Sequence, residues 1–408
     1  MGETAVQLKH LKKYEKDLYR CIKCGYCRDQ TRFRDNVDGV CPLRITEAHP
    51  FESFEARGKV EIALAVLEGL LPINEETGKR ISEIFYMCST CRNCWDKCYV
   101  KDHIDHVGIY EAFRADLFSM GFGLPQHKRF AEWTKQNHNP YLEPHNKRLD
   151  WLPEEFNIKP MENADIVYYV GCTSSYRQKN IAKATVSILK KLGADFTILG
   201  LEEWCCGSPL FRVGAREIGE EQAKHNIEAI EKVGAKTVVF SCAGCYRTFK
   251  TDYQEIFGKL NFNLLHITEF LSQLIKEGKL KITKELKMKV TYHDPCHLVR
   301  HLAHLGKNAM VADQPREILK NIPGVELVEM DRVKLNAFCC GAGGGLRAGF
   351  TEQSLGLAAE RIREAEKTGC NVLVSSCPFC YRNLTDAIKN LNSKMSMYDV
   401  TELLDRVL

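Results

Sequence analysis

Phe338-Cys339-Cys340-Gly341-Ala342-Gly343-Gly344-Gly345 has an evident chemical use and little value as core or surface. Adjacent thiols are metal donors, and glycines lacking a Cβ let backbone N–H groups close on an anionic group. Cys296, in His293-Asp294-Pro295-Cys296-His297, stands upstream, and Cys377-Pro378-Phe379-Cys380 follows. The set occurs twice. Cys172 stands alone, Cys205-Cys206-Gly207 comes next, and Cys242-Ala243-Gly244-Cys245 closes the earlier copy. The gap from Cys206 to Cys242 nearly equals that from Cys340 to Cys377. This is an internal repeat.

Two further runs lie nearer the N-terminus. Cys21-Ile22-Lys23-Cys24-Gly25-Tyr26-Cys27 is followed, after a polar insert from Arg28 to Val40, by Cys41-Pro42. Cys88-Ser89-Thr90-Cys91-Arg92-Asn93-Cys94 is followed by Cys98. Three cysteines at this spacing wrap one face of an iron–sulfur cubane, with the fourth thiolate coming from the other run. The expected quartets are Cys21, Cys24, Cys27 and Cys98 for one [4Fe–4S] cluster, and Cys88, Cys91, Cys94 and Cys41 for the other. Structural zinc favours two separated pairs over such triplets. His103 and His106 read as helix-start residues beside a quartet that is already complete.

The nineteen cysteines of this 408-residue chain divide into eight in the N-terminal runs, ten in the two repeated sets, and Cys370. Cys370 precedes an apolar strand and reads as a small buried residue. Disulfide scaffolds are small secreted domains, whereas this chain is large, so metal is the expected use of its thiols. The net charge of +4 is small, with both signs interspersed, and nucleic acid is not indicated. No export signal is read, and the most apolar stretch, Ile62 to Leu71, carries Glu68 and is shorter than the ~20 residues of a membrane span. A cytoplasmic protein is expected, with any membrane association made through a partner.

The elements that must carry these thiols follow from periodicity. A helix is expected over Phe54 to Leu71 and another over Ile109 to Met120. Gly121 to Pro160, rich in proline and glycine, reads as an irregular linker. Beyond it, strands at Asp165–Val170, Asp195–Leu199 and Thr237–Phe240 alternate with helices at Ile181–Leu192 and Glu217–Val233. Strands at Lys289–Tyr292, Glu326–Met330 and Val372–Val374 then alternate with helices at Pro315–Asn321 and Ser354–Lys367. That alternation implies parallel sheets, with ligands at the carboxyl ends of the strands, where the cysteines fall. The expected organisation is α/β. A mostly α-helical dicluster ferredoxin-like domain spans 1–150, with a linker to about 160, and two pseudo-symmetric domains with parallel sheets span 161–285 and 286–408. Five thiolates per set exceed what a cubane needs, so each set should hold an iron–sulfur cluster with unusual ligation.

With these motifs in this order, nearly the whole chain resembles the D-type component of heterodisulfide reductase and the wider family of iron–sulfur oxidoreductases with CCG domains. The resemblance implies two noncubane [4Fe–4S] clusters, one on Cys172, Cys205, Cys206, Cys242 and Cys245, the other on Cys296, Cys339, Cys340, Cys377 and Cys380. It implies reduction of the coenzyme M–coenzyme B disulfide between them, with the two cubanes feeding electrons from a partner, either a membrane cytochrome b or a flavoprotein. His293 and His297 are candidate proton donors, and Arg300 and Arg347 are candidates for an anionic substrate group. No flavin or nicotinamide fingerprint is present, and the glycine run reads as part of the cluster pocket. The alternative is an electron-transfer subunit, as in relatives serving lactate, glycolate or glycerol-3-phosphate oxidases, electron-transferring flavoprotein, or aromatic acyl-CoA reductases.

Overall fold

The computed structural model describes residues 8–28, 40–46 and 51–408. Most of the insert before Cys41, residues 29–39, lies outside the described residues. The chain packs as two compact units. One contains Met1–Ala131 with Pro209–Arg216 and Gly341–Leu357, and the other contains Glu132–Ser208, Glu217–Cys340 and Ala358–Leu408.

The first unit is helical. The expected helix before the second cysteine run spans Ala56–Leu67. It stops where Gly69, at φ +73°, turns the chain and Leu70 N–H returns to Ala65 O at 2.9 Å. Glu75–Tyr86 is a helix that periodicity alone did not reveal; Asn74 caps it by accepting from the N–H groups of Glu76 and Thr77 at 3.0 Å each. The helix expected at Ile109–Met120 spans His106–Ser119, capped by Asp105, which accepts from Gly108 N at 3.1 Å. Its Asp116 carboxylate anchors the N-terminal lead, taking bonds from the N–H groups of His10 and Leu11.

The second unit holds two parallel sheets of the same topology. β1 (Ile166–Tyr169), β2 (Phe196–Thr197), β3 (Thr237–Phe240) and β4 (Asn263–His266) lie in the order β2-β1-β3-β4. β5 (Met288–His293), β6 (Val325–Leu327), β7 (Val372–Ser375) and β8 (Ser396–Asp399) lie in the order β6-β5-β7-β8. Each β-strand expected from sequence is present, though β2 and β6 are shorter. The fourth strand of each sheet is new: Val238 pairs with Leu264, and Val374 with Tyr398. After each fourth strand a helix starts with a capping box, His266 with Glu269 before Ile267–Lys276, and Asp399 with Glu402 before Val400–Val407. The duplication therefore reaches individual hydrogen bonds. Tyr168, Val239, Tyr292, Val374 and Leu404 contribute to one buried core shared by the sheets.

The linker reading requires correction. Gly121 to Pro160 contains a helix at Pro125–Asn137. Pro125 is its first residue, where a fixed φ and a missing N–H start a helix instead of breaking one. Among the described residues, no helix is long and apolar enough to cross a membrane.

Candidate metal centres

In the first unit the two Cys-x-x-Cys-x-x-Cys runs share a backbone device. Lys23 and Gly25 flank Cys24 at φ +56° and +77°, and Thr90 and Arg92 flank Cys91 at φ +50° and +65°. Left-handed residues on both sides of the middle cysteine curl each run, and three of the four lack the glycine that adopts this conformation without strain. The fourth thiols are crossed. Cys98 lies with Cys21, Cys24 and Cys27, and burial together with these like charges pushes the Cys27 thiol up. Cys41 lies with Cys88, Cys91 and Cys94 around a cavity with about 430 Å³ of atom-free space, part of it open to solvent. Burial pushes Cys41 up to about 12, against the pull of the Lys59 charge. Such thiols form thiolates only with a counter-charge, which a bound metal supplies. Cys24 and Ile22 are exposed on the first run, and Tyr19, just before it, and Tyr99, next to Cys98, are exposed too. His106 opens its helix buried, and burial lowers it to about 4; His103 is exposed.

The glycine run also requires correction. A Cβ on Gly344, at φ +63°, would lie 2.4 Å from Cys88 O, and one on Gly343 would lie 2.9 Å from Ser89 O. The absence of side chains therefore serves close backbone packing against the Cys88 run, not only a cradle for the neighbouring thiols. Arg114, fully buried, ties this packing together. It donates to the carbonyls of Phe85, Cys88, Arg212 and Gly344, those of Arg212 and Gly344 at 2.8 Å each. Arg347, partly buried, lies on the short helix after the glycine run.

In the second unit both five-cysteine sets are assembled. Cys205 neighbours Cys172 and Cys206, and Cys206 neighbours Cys245, which lies beside Cys242. Donation from Cys205 and Cys245 lowers Cys206 to about 6. In the second set Cys296 neighbours Cys339, and Cys340 lies 3.2 Å from Cys380, which lies beside Cys377. The sets come close to each other: the neighbouring Cys242 and Cys380 thiols favour the Cys377 thiolate and pull it well down. Gly207 and Gly341, which follow the two Cys-Cys pairs, stand at φ +80° and +78°. None of the nineteen cysteines forms a disulfide, and Cys370 is buried by itself.

Each lone cysteine rests on a buried ion pair that sequence reasoning missed. Arg148 donates to Cys172 Sγ at 3.2 Å and to Glu203 Oε1 at 2.7 Å. Glu203 in turn accepts from the N–H groups of Val170 and Gly171 at 2.8 Å each, fixing the turn into Cys172. Beside Cys296, Asp294 takes a two-pronged pair from Arg316 at 2.7 and 2.9 Å. Asp294 is visible as a carboxylate in the Cys296 motif, but Arg148 and Glu203 lie far from Cys172 in sequence.

His293 is buried and accepts from Arg361 Nε through Nδ1 at 3.1 Å. Burial and the Arg361 charge press it down to about 3, so the imidazole is neutral, with its proton on Nε2. That nitrogen has no hydrogen-bond partner, and a ring nitrogen lies within 4.8 Å of the Cys340 and Cys380 sulfurs. His297, also lowered by burial to about 4, packs edge-on against His301 at 4.4 Å. Arg300 is buried and donates to the carbonyls of Leu335 and Ala337, bracing the approach to Cys339.

Soft thiolate quartets and quintets, held without disulfides, are donor sets for iron–sulfur clusters. Comparison with known proteins agrees. The description 4Fe-4S dicluster domain matches residues 17–101, and cysteine-rich domain CCG matches residues 166–250 and 290–385. The chain is 42% identical, over 99% of its length and 96% of the relative, to the D-type component of the dihydromethanophenazine:CoB–CoM heterodisulfide reductase of Methanosarcina mazei. It is 30% identical to the EtfAB:quinone oxidoreductase of Syntrophomonas wolfei, over 95% of this chain and 58% of that one. A crystal structure of a hypothetical protein from Helicobacter pylori shares the fold with a TM-score of 0.55 at 10% identity, covering 90% of this chain and 70% of that chain. The molecule is thus an iron–sulfur oxidoreductase. It belongs to the family of the D-type heterodisulfide reductase components.

Proposed function

We propose that the chain reduces a small-molecule disulfide, the mixed disulfide of coenzyme M and coenzyme B, as the catalytic part of a complex whose partner subunit supplies electrons. The observation that carries this reading is the nearness of the Cys242 and Cys377 thiols, which brings the two five-cysteine sets together. Breaking an S–S bond takes two electrons and yields two thiolates. Two joined donor sets offer one electron and one sulfur-binding site each, whereas a relay needs only a single path. Cys172, Cys205, Cys206, Cys242 and Cys245 would hold one noncubane cluster, and Cys296, Cys339, Cys340, Cys377 and Cys380 the other. Cys21, Cys24, Cys27 and Cys98, and Cys41, Cys88, Cys91 and Cys94, would hold the two cubanes. The clusters, when bound, supply one-electron transfer and iron sites that stabilise thiolates.

The chain's own residues position and shield. Arg148 with Glu203, and Asp294 with Arg316, hold the turns that present Cys172 and Cys296. His293 offers an N–H towards Cys340 and Cys380, suited to a sulfur that gains charge. Arg300 Nη1 donates to the Leu335 and Ala337 carbonyls, which supports a bracing role for that nitrogen. Segments 1–150, 161–285 and 286–408 would be the electron-feeding part and the two halves of the catalytic part.

The second reading, an electron-transfer subunit of a flavoprotein complex, is favoured by the likeness to the EtfAB:quinone oxidoreductase across 95% of this chain. Titrating anaerobically purified protein with the coenzyme M–coenzyme B disulfide separates the two. A paramagnetic state that appears only with the free thiol present supports the reductase. Reducible clusters with no such state support the relay.

A further inference from the structure

The two cysteine quartets of the first unit differ in their surroundings. The Cys21, Cys24, Cys27 and Cys98 quartet has an exposed member, and the charge next to it is balanced: Lys23 pairs with Glu61 at 3.0 Å, in solvent. The cavity walled by Cys41, Cys88, Cys91 and Cys94 also contains Lys59. Lys59 is 1% exposed, on the helix Ala56–Leu67. Its ammonium is met by the carbonyl of Phe54 and, among the described residues, by no carboxylate. A buried lysine is rare unless paired, and here the thiolate quartet is the anionic partner at hand. The neighbouring cations are compensated differently. Arg92 pairs with Asp105 at 3.3 Å, Arg44 pairs with the buried Glu55 at 3.0 Å, and Arg114 is spent on carbonyls.

We propose that Lys59 is a positioning charge that raises the reduction potential of the Cys41, Cys88, Cys91 and Cys94 site above that of the Cys21, Cys24, Cys27 and Cys98 site, so that electrons run inward from the exposed quartet. Cluster potentials respond to local charge and solvent exposure, and a fixed, buried cation beside a cluster favours the more negative, reduced form. Water screens Lys23 at the exposed quartet, and Glu61 cancels its charge. One electron leaves the exposed site and one arrives at the buried site; no bond or proton changes place. The proposal rests on the reading that these quartets hold clusters, and it adds a direction that the reading leaves open.

The test is a paramagnetic-resonance redox titration of the full, anaerobically reconstituted chain, comparing the parent with Lys59→Met, Lys59→Gln and Lys59→Arg. Cys24→Ser identifies the signal of the exposed site. In Lys59→Met and Lys59→Gln, the reduced-to-oxidised ratio of the buried site at a given potential should fall about tenfold, equivalent to about 59 mV for one electron. The exposed site should not move, and Lys59→Arg should restore most of the difference. Lys59→Gln keeps a donor for the Phe54 carbonyl and decides the matter if the Met variant loses iron. An unmoved potential in the Gln variant, or an equal shift at both sites, overturns the proposal. Absence of both signals from the parent instead sinks the reading of the quartets.

Discussion

Arg114 Nη1 donates to the Gly344 carbonyl at 2.8 Å, joining residues 230 positions apart. The same guanidinium bonds to Phe85, Cys88 and Arg212 carbonyls, so one planar fork gathers a segment beside three different cysteine motifs. Arg114→Lys keeps the charge but cannot reach these directions at once. It should cost about 3–5 kcal/mol, the range for a buried charge left short of partners. The check is the shift in denaturant midpoint, and an Arg114→Lys protein as stable as its parent would refute the bridging role.

Gly344 tests the close packing separately. Gly344→Ala faces both a φ of +63° and a Cβ 2.4 Å from Cys88 O. Gly369→Ala faces a φ of +71° with open space around it. The second should cost about 1 kcal/mol, the ordinary left-handed penalty, and the first clearly more. Equal losses in thermal unfolding would mean that the glycine run does not need its contact with the Cys88 segment.

Asp399 makes stability depend on pH. It is buried at the start of the last helix, and burial raises its carboxyl from 3.8 to about 8. The folded state therefore holds a proton that the unfolded chain releases, and stability should fall as pH rises from about 4 to about 8. Asn caps a helix as well as Asp does, so Asp399→Asn should flatten this slope and be the more stable protein above pH 8. Denaturant midpoints across that pH range decide the point; parallel slopes for parent and variant would contradict it.

Cysteine replacement reads out the donor sets. The four clusters of four irons proposed above would give about sixteen irons per chain. Cys340→Ser should lower this to about twelve and leave the two N-terminal signals reducible. Full iron retention would remove Cys340 from its proposed set.

The repeat and the parallel strands were legible because each rests on local spacing: Cys205-Cys206-Gly207 against Cys339-Cys340-Gly341, and short apolar runs alternating with helical periods. What escaped depends on long-range packing. β4 and β8 have few apolar residues each and become strands by pairing with β3 and β7. Arg148 and Glu203 are ordinary surface-type residues until the fold buries them behind Cys172. Pro125 reads as a breaker only if its position relative to the helix start is unknown.

Residues 209–216 and 341–357, just beyond the two Cys-Cys-Gly turns, pack with the N-terminal helices. The N-terminal segment is consequently no detachable cassette. Severing the backbone after residue 131 would cut through a single folded body, and the two fragments would have to reunite as tightly associating partners to recover it.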